Sequence, residues 1–363
     1  MGEILTKSQG VKSRLTGWVA GSLALLSVWL QLIRTLIVLG SSPMKKLLLS
    51  LLCPLALLAV EPAPKPAPKP ILKINPGEVI VPTAAMRRLW GELVSVDLAN
   101  RTGVFRKEGT DELMPFKVLP YAELLHHAAF GDLQDFRVGE RAIFRMHEDA
   151  QGAWTWLTYI QDEMNMMNGH KEFFHVDAVD AATGKLTCTQ GSADKSYVRE
   201  KGIVIETEAT TRYWRDGQPA AFADIKVGDK LRTQTHGVGK GKVRVCWEVF
   251  LDEASLAKFQ ATQRAVHAKR MAEDGAAGYV DKVTGMAVEL TLFQESGDIG
   301  RQLRAGSMIR LAGAGQDRKA TGELAAGKVK AVKFAGNLCK VTVELEQAAV
   351  ALIPRQVARL WIK

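Results

Sequence analysis

The densest concentration of chemically capable side chains runs from Met146 to His175. Met146-His147 precedes Trp154 and Trp156, then come Met164, Met166 and Met167, and His170 and His175 close the run. Thioethers and imidazoles are the donors that suit Cu(I), and an indole face can lie against such a cation. His147, Met164, Met166, Met167 and His170 are therefore the candidate metal ligands, with copper as the ion. The competing reading is that methionines placed after a strand plug gaps in a core or cover a barrel end. A second chemistry rests on aromatic rings. Trp154, Trp156, Trp214 and Trp247 are candidate binding platforms, because small barrels take glycans or oligonucleotides by stacking on such residues. Tryptophans that simply fill a core leave the same pattern.

Other constellations are weaker. His126-His127 lies in Tyr121–Phe130, which follows Pro120 and reads as a short helix. Adjacent residues on a helix point about 100° apart, so these histidines read as structural or solvated rather than as joint ligands. Gly237-Val238-Gly239-Lys240-Gly241-Lys242 has the composition of a phosphate cradle. It sits between two strands with no following helix to present free amides, so a hairpin turn explains it better. Asp97, Asp177, Asp180 and Asp281 recur with the turns around them and read as turn or strand-end residues. Nothing fixes two carboxylates across a cleft as a glycosidase requires. No GxSxG elbow, HExxH, Walker-type loop or dinucleotide fingerprint is present, so the chain reads as non-enzymatic with no resident cofactor.

The elements that would position these residues are strands. From Trp90, Gly91–Asp97 alternates apolar and polar residues, a turn follows at Asn100–Gly103, and Val104-Phe105 resumes. The stretch Phe174–Leu186 repeats that grammar, Val179-Asp180 matching Val96-Asp97 and Thr183-Gly184 matching Thr102-Gly103. Further on, Phe136-Arg137-Val138-Gly139-Glu140-Arg141 matches Ile225-Lys226-Val227-Gly228-Asp229-Lys230. A looser third cassette opens at Gly278–Gly285, with Leu303–Arg310 where the Val-Gly turn stood. The intervals are domain-sized rather than solenoid-sized. Each cassette carries enough short strands to close a small barrel, which also removes exposed edges; a sandwich is the alternative that strand counting leaves open.

The expected architecture is mainly β: three tandem small antiparallel OB-like barrels, at 85–165, 166–252 and 276–363. A single long helix at 253–275, free of Gly and Pro until its last residue, connects the second to the third as a solvated connector lying across a barrel. At Leu119-Pro120-Tyr121 and from His126-His127 to Gly139 the chain resembles uncharacterised exported bacterial proteins with tandem small-barrel repeats. That resemblance implies secretion and a modular barrel, and it carries over no catalytic residue. In its Met, His and Trp content the Met146–His170 run resembles the small periplasmic copper-carrying barrels.

The amino-terminal region concerns address. Met44-Lys45-Lys46 followed by Leu47–Leu58 reads as a secretory signal peptide within a targeting region at 1–60. The upstream Trp18–Leu39 run reads as a mis-called start or an anchor, and it is the one segment expected to touch a membrane. Alternating prolines at 61–84 make an extended spacer. The net charge is +9, yet residues 1–60 alone hold six basic residues and one acidic. The remainder is close to neutral, which makes nucleic acid an unlikely partner. Of the four cysteines, Cys53 lies in the apolar run; Cys188 and Cys246 can pair if their strands are neighbours, although buried free thiols fit better. These observations lead to an exported, periplasmic or envelope-associated binding or scaffolding protein. Its ligand would be a cell-wall polymer, a glycan or a protein.

Overall fold

The computed structural model describes residues 86–149, 151–237, 243–348 and 352–363. The targeting region at 1–60, the whole spacer at 61–84 and residues 238–242 of the glycine-rich turn lie outside the described residues.

The first sheet contains β1 (Met86–Asp97), β2 (Thr102–Lys107), β3 (Leu113–His126), β4 (Ala129–Phe130), β5 (Arg141–Glu148) and β6 (Trp154–Asp162). Its order is β2-β1-β5-β6-β3-β4, and β2 also pairs with β3, so five strands close a ring and β4 hangs from it. Phe105 stacks on Phe144 at the centre, ring centroids 4.0 Å apart, with Phe116 tilted against both. The ring can be this narrow because Gly103 lets Phe116 press on the backbone. A Cβ there would lie 2.4 Å from that ring and 2.5 Å from a carbonyl oxygen.

A short helix, α1 (Glu163–Gly169), leads to β7 (Glu172–Asp180), β8 (Lys185–Ser192), β9 (Val198–Arg215), β10 (Gln218–Ala220), β11 (Lys230–His236) and β12 (Val243–Phe250). The same ring recurs: β10-β9-β12-β11-β7-β8, with β9 returning to β8. The Val-Gly turns superimpose in kind. Gly139 and Gly228 have φ of 92° and 94°, and the following acid accepts from the backbone N–H three residues earlier, Glu140 from Arg137 at 2.8 Å and Asp229 from Lys226 at 2.9 Å.

Helix α2 (Glu253–Asp274) precedes a closed barrel of β13 (Ala276–Thr284), β14 (Ala287–Leu292), β15 (Met308–Ala314), β16 (Ala320–Ala335), β17 (Leu338–Leu345) and β18 (Val357–Ile362). A short helix, α3 (Gly297–Gln302), crosses between β14 and β15. Among the described residues, no helix is long and apolar enough to cross a membrane.

Three expectations need correction. The first two barrels are not wholly antiparallel, because β3 runs parallel to β6 and β9 parallel to β12. The third ring is antiparallel throughout and has a different strand order, so what it repeats of the second barrel is local: the first hairpin and the Gly306 turn. In that hairpin, Asp177 and Asp281 occupy matching bulges and accept from Thr189 and Thr291 at 2.7 and 2.6 Å. Thirdly, Tyr121–Phe130 is no helix. It is the end of β3, a two-residue turn and β4. Ala122 and Leu124 alternate into the barrel core, and burial of that face overrides the helix preference of Ala, Leu and Glu.

Buried ion pairs join the barrels. Arg318 of the third donates twice to Asp132 of the first, at 2.7 and 3.1 Å, and Arg101 pairs with Glu295 while lying 3.8 Å over the Phe293 ring. Between the first two barrels, Arg141 donates to Glu163 at 2.7 Å and Thr235 donates to the other oxygen at 2.5 Å. Helix α2 lies across this junction with most of its residues exposed: Arg270 and Gln263 bind Asp135 at 2.9 and 3.0 Å, while Leu256 packs on Phe250 and Met164.

Candidate functional site

The residues singled out from sequence do not share one site. His147 is buried on β5 with Nε2 2.9 Å from Thr158 Oγ1. Burial, assisted by the Arg145 charge, pushes its imidazole down to about 4. Met166 and Met167 pack into the second barrel's core, Met164 joins Phe250 and Leu256 under α2, and His170 is exposed at the C-cap of α1. The thioethers therefore serve as core packing on different sides of one short helix. His175 is tied to Ser192 O at 2.7 Å.

The tryptophans are likewise divided. Trp156 is buried against Leu119, Tyr121 and Leu338, and Trp214 packs under Phe259 of α2. Trp154 is covered by the Arg87 guanidinium at 4.1 Å, and Trp247 stacks on His236 with centroids 4.9 Å apart. Each ring packs on other residues of the protein in different surroundings. The thiols of Cys188 and Cys246 sit unpaired in the second barrel's core, where burial raises Cys188 to about 12.

What the fold does bring together is a buried polar chamber where the first barrel, the second barrel and α2 meet. Its centre is the β3–β4 turn. His127 and Ala128 have φ of 50° and 58°, the pairing of a two-residue type I′ hairpin turn. Regular strand geometry would send His126 and His127 to opposite faces. The left-handed backbone at His127 cancels that alternation, and the two rings lie with centroids 3.9 Å apart. Phe136 and Phe259 meet them edge-on, at 5.2 and 5.6 Å from His126 and His127 respectively.

Acids surround the pair. His126 Nε2 is 3.3 Å from Glu140 Oε1, and its Nδ1 is 3.3 Å from Gln263 Oε1 of α2. Asp162 accepts the His127 backbone N–H at 2.6 Å and caps α1 by accepting from Asn165 N at 2.7 Å. Burial alone would depress the His126 imidazole; the Glu140, Asp162 and Asp135 carboxylates overcome it and raise the group to about 9. Burial, together with the His126 charge, holds His127 well below its ordinary value. Burial also lifts Asp162 to about 7, against the pull of His126 and the two backbone donors. The cluster thus sets two imidazoles pushed in opposite directions beside carboxylates buried away from solvent.

The sequence does carry a signal for this turn. Asp216-Gly217, an unmistakable hairpin dipeptide, stands twelve residues before Gly228. Counting the same distance back from Gly139 reaches His127-Ala128.

A second concavity lies between the first and third barrels. It is a cleft of about 840 Å³, to which Asn100 and Lys117 contribute from one side and Lys282, Glu289, Lys340 and Arg355 from the other. No protein-family model matches the chain, and no curated protein matches it.

Proposed function

We propose that the chain is an exported, non-enzymatic component of the bacterial cell envelope, in which small barrels form a rigid binding platform. The first two barrels are read as OB-like: each closes a five-stranded ring with one parallel pair. The observation that carries the binding role is the cleft between the first and third barrels. Lys117, Lys282, Lys340 and Arg355 line it against two acids, Asp281 and Glu289. Cations concentrated in a concave surface attract an anionic polymer more strongly than the near-neutral body would. Asn100, Gln316 and Gln356 add side chains able to hydrogen-bond hydroxyl and carboxylate groups. An acidic glycan or cell-wall polymer is the ligand class that fits. Buried ion pairs between the two barrels hold the walls of the cleft in register, so little ordering cost falls on binding.

The test is co-sedimentation of the chain with peptidoglycan sacculi, alongside affinity electrophoresis in alginate and in neutral dextran. Retention is expected in sacculi or alginate, falling with salt, and Lys282→Glu/Arg355→Glu should weaken it about tenfold, or about 1.4 kcal/mol. No retention by any of these polymers, or full retention of the double variant, overturns the proposal.

A further inference from the structure

We propose that His126, His127 and Asp162 form a binding site for one divalent cation of the zinc class, which clamps the first barrel to the start of α1. The site is distinct from the cleft and independent of the envelope-binding reading. One ligand atom from each of the three residues falls within 4.8 Å of the others, and all three residues are buried. A tetrahedral zinc ion holds nitrogen and oxygen donors at about 2.0–2.2 Å, so the three side chains need only draw inward to share one ion, with a fourth position left for water or another ligand. Glu140, 3.3 Å from His126 Nε2, stands outside this three-donor cluster, its oxygens already accepting from Gln234 and from Arg137 N.

An independent observation points the same way. His127 Nδ1 is buried and has no hydrogen-bond partner, while its side chain is only 8% exposed. A buried ring nitrogen left unpaired costs free energy unless something occupies it. Nδ1 faces Asp162 Oδ2 at 3.5 Å, too long for a hydrogen bond and suited to an ion held between the two. The Asp162 oxygens each accept one backbone N–H, which fixes the carboxylate and leaves lone pairs for a metal. His126 is oriented whichever nitrogen ligates. If Nε2 binds, Nδ1–H donates to Gln263 Oε1; if Nδ1 binds, Nε2–H donates to Glu140. Metal-bound histidines characteristically have such an acceptor behind them.

Nitrogen and carboxylate donors without sulfur select zinc, cobalt or nickel over Cu(I). The second barrel supplies an internal contrast. Its matching turn places Asp216 against Asp252 through the same backbone hydrogen bond, 2.7 Å, but has no imidazole.

The experiment uses the full chain, unfolded with chelator and refolded with Co²⁺ or Zn²⁺. Expected are one Co²⁺ per chain, strong visible ligand-field bands of a low-coordinate nitrogen/oxygen site, and bleaching of those bands by Zn²⁺. His127→Gln and His126→Gln should each lower affinity at least tenfold, whereas His170→Gln and His147→Gln should not. If the turn variants fail to fold, the wild-type spectrum decides by itself. Absence of stoichiometric Co²⁺, the weak bands of a six-coordinate surface site, or binding unchanged in a folded His127→Gln variant overturns the proposal.

Discussion

The first two barrels share their ring order and the hydrogen bonds of their turns and differ in the side chains set upon them. At positions 89 residues apart, His126 matches Arg215, His127 matches Asp216, Ala128 matches Gly217, Asp132 matches Ala221 and Glu140 matches Asp229. In both barrels an aspartate caps the next helix with one oxygen and accepts from the turn backbone with the other: Asp162 from Asn165 and His127, Asp252 from Ser255 and Asp216. That arrangement belongs to the fold. The second barrel then uses Arg215 and Asp229 as a half-exposed pair 3.9 Å apart. The first places His126 and Glu140 at the same two points, nearly sealed from water. Asp-Gly suits a type I′ turn, while His-Ala costs backbone strain. The first barrel tolerates that strain at the turn that carries its buried ring cluster, and Asp132, where the second barrel has Ala221, is its anchor to the third barrel.

The largest difference between the copies should appear on removing that anchor. Asp132→Ala leaves Arg318 buried without its bidentate partner and also uncaps the 3-10 turn Leu133–Asp135, where Asp132 accepts from Leu133 N at 2.6 Å. Breaking a buried pair from one side costs about 3–5 kcal/mol. Arg215→Ala in the second barrel removes a half-exposed pair, worth about 0–1 kcal/mol, and one hydrogen bond to Asp224 O. Urea unfolding of the two variants measures this. Equal midpoints would show that the buried pairs do not lock the barrels together.

A smaller, mirror-image effect is expected at the turn itself. Ala128→Gly relieves a left-handed alanine and should stabilise the chain by about 1 kcal/mol. Gly217→Ala should cost at least as much, because its Cβ would lie 2.6 Å from Lys258 Cδ on α2. Paired thermal melts read both. If Ala128→Gly destabilises, the turn is not strained in the way its backbone angles imply.

The legible part of this molecule is its turn chemistry. Gly139, Gly228 and Gly306 all adopt φ between 92° and 94°, and each turn caps its own backbone three residues back, Arg304 N meeting Ser307 Oγ at 3.0 Å in the third. Such signals are local, so sequence reveals them. The parallel pairs β3–β6 and β9–β12 are not local: each joins strands separated by other elements, and alternation alone does not register direction. The histidine cluster is hidden for a related reason. The helix propensity of Tyr121–Phe130 suggested that adjacent histidines diverge, and only the hairpin turn, set by burial of Ala122 and Leu124, brings them together. The methionines and tryptophans misled in the opposite sense. Their chemistry was visible, but which barrel each one packs into depends on α1 and α2.

The finest contrast concerns a second histidine pair at the same 89-residue offset. His236 lies partly exposed on β11, stacked on Trp247 and 3.5 Å from Glu208, while His147 is enclosed on β5 with Thr158 as its partner. Burial, then the Arg145 charge, lowers the His147 folded value to about 4, against about 6.5 when unfolded. Between those values the unfolded chain binds the proton and the folded chain does not, so stability rises with pH across this window. Acidification from pH 6.5 toward 4 should therefore cost stability, with His147's share of the loss complete below its folded value. His147→Gln keeps a side chain able to hydrogen-bond Thr158 and removes the titration, so its stability should fall less steeply over that interval. Urea midpoints measured from pH 4 to 7 for wild type, His147→Gln and His236→Gln provide the comparison. An unchanged slope in His147→Gln would mean that the enclosed imidazole does not set the acid response, and that the two barrels differ at this register in packing alone.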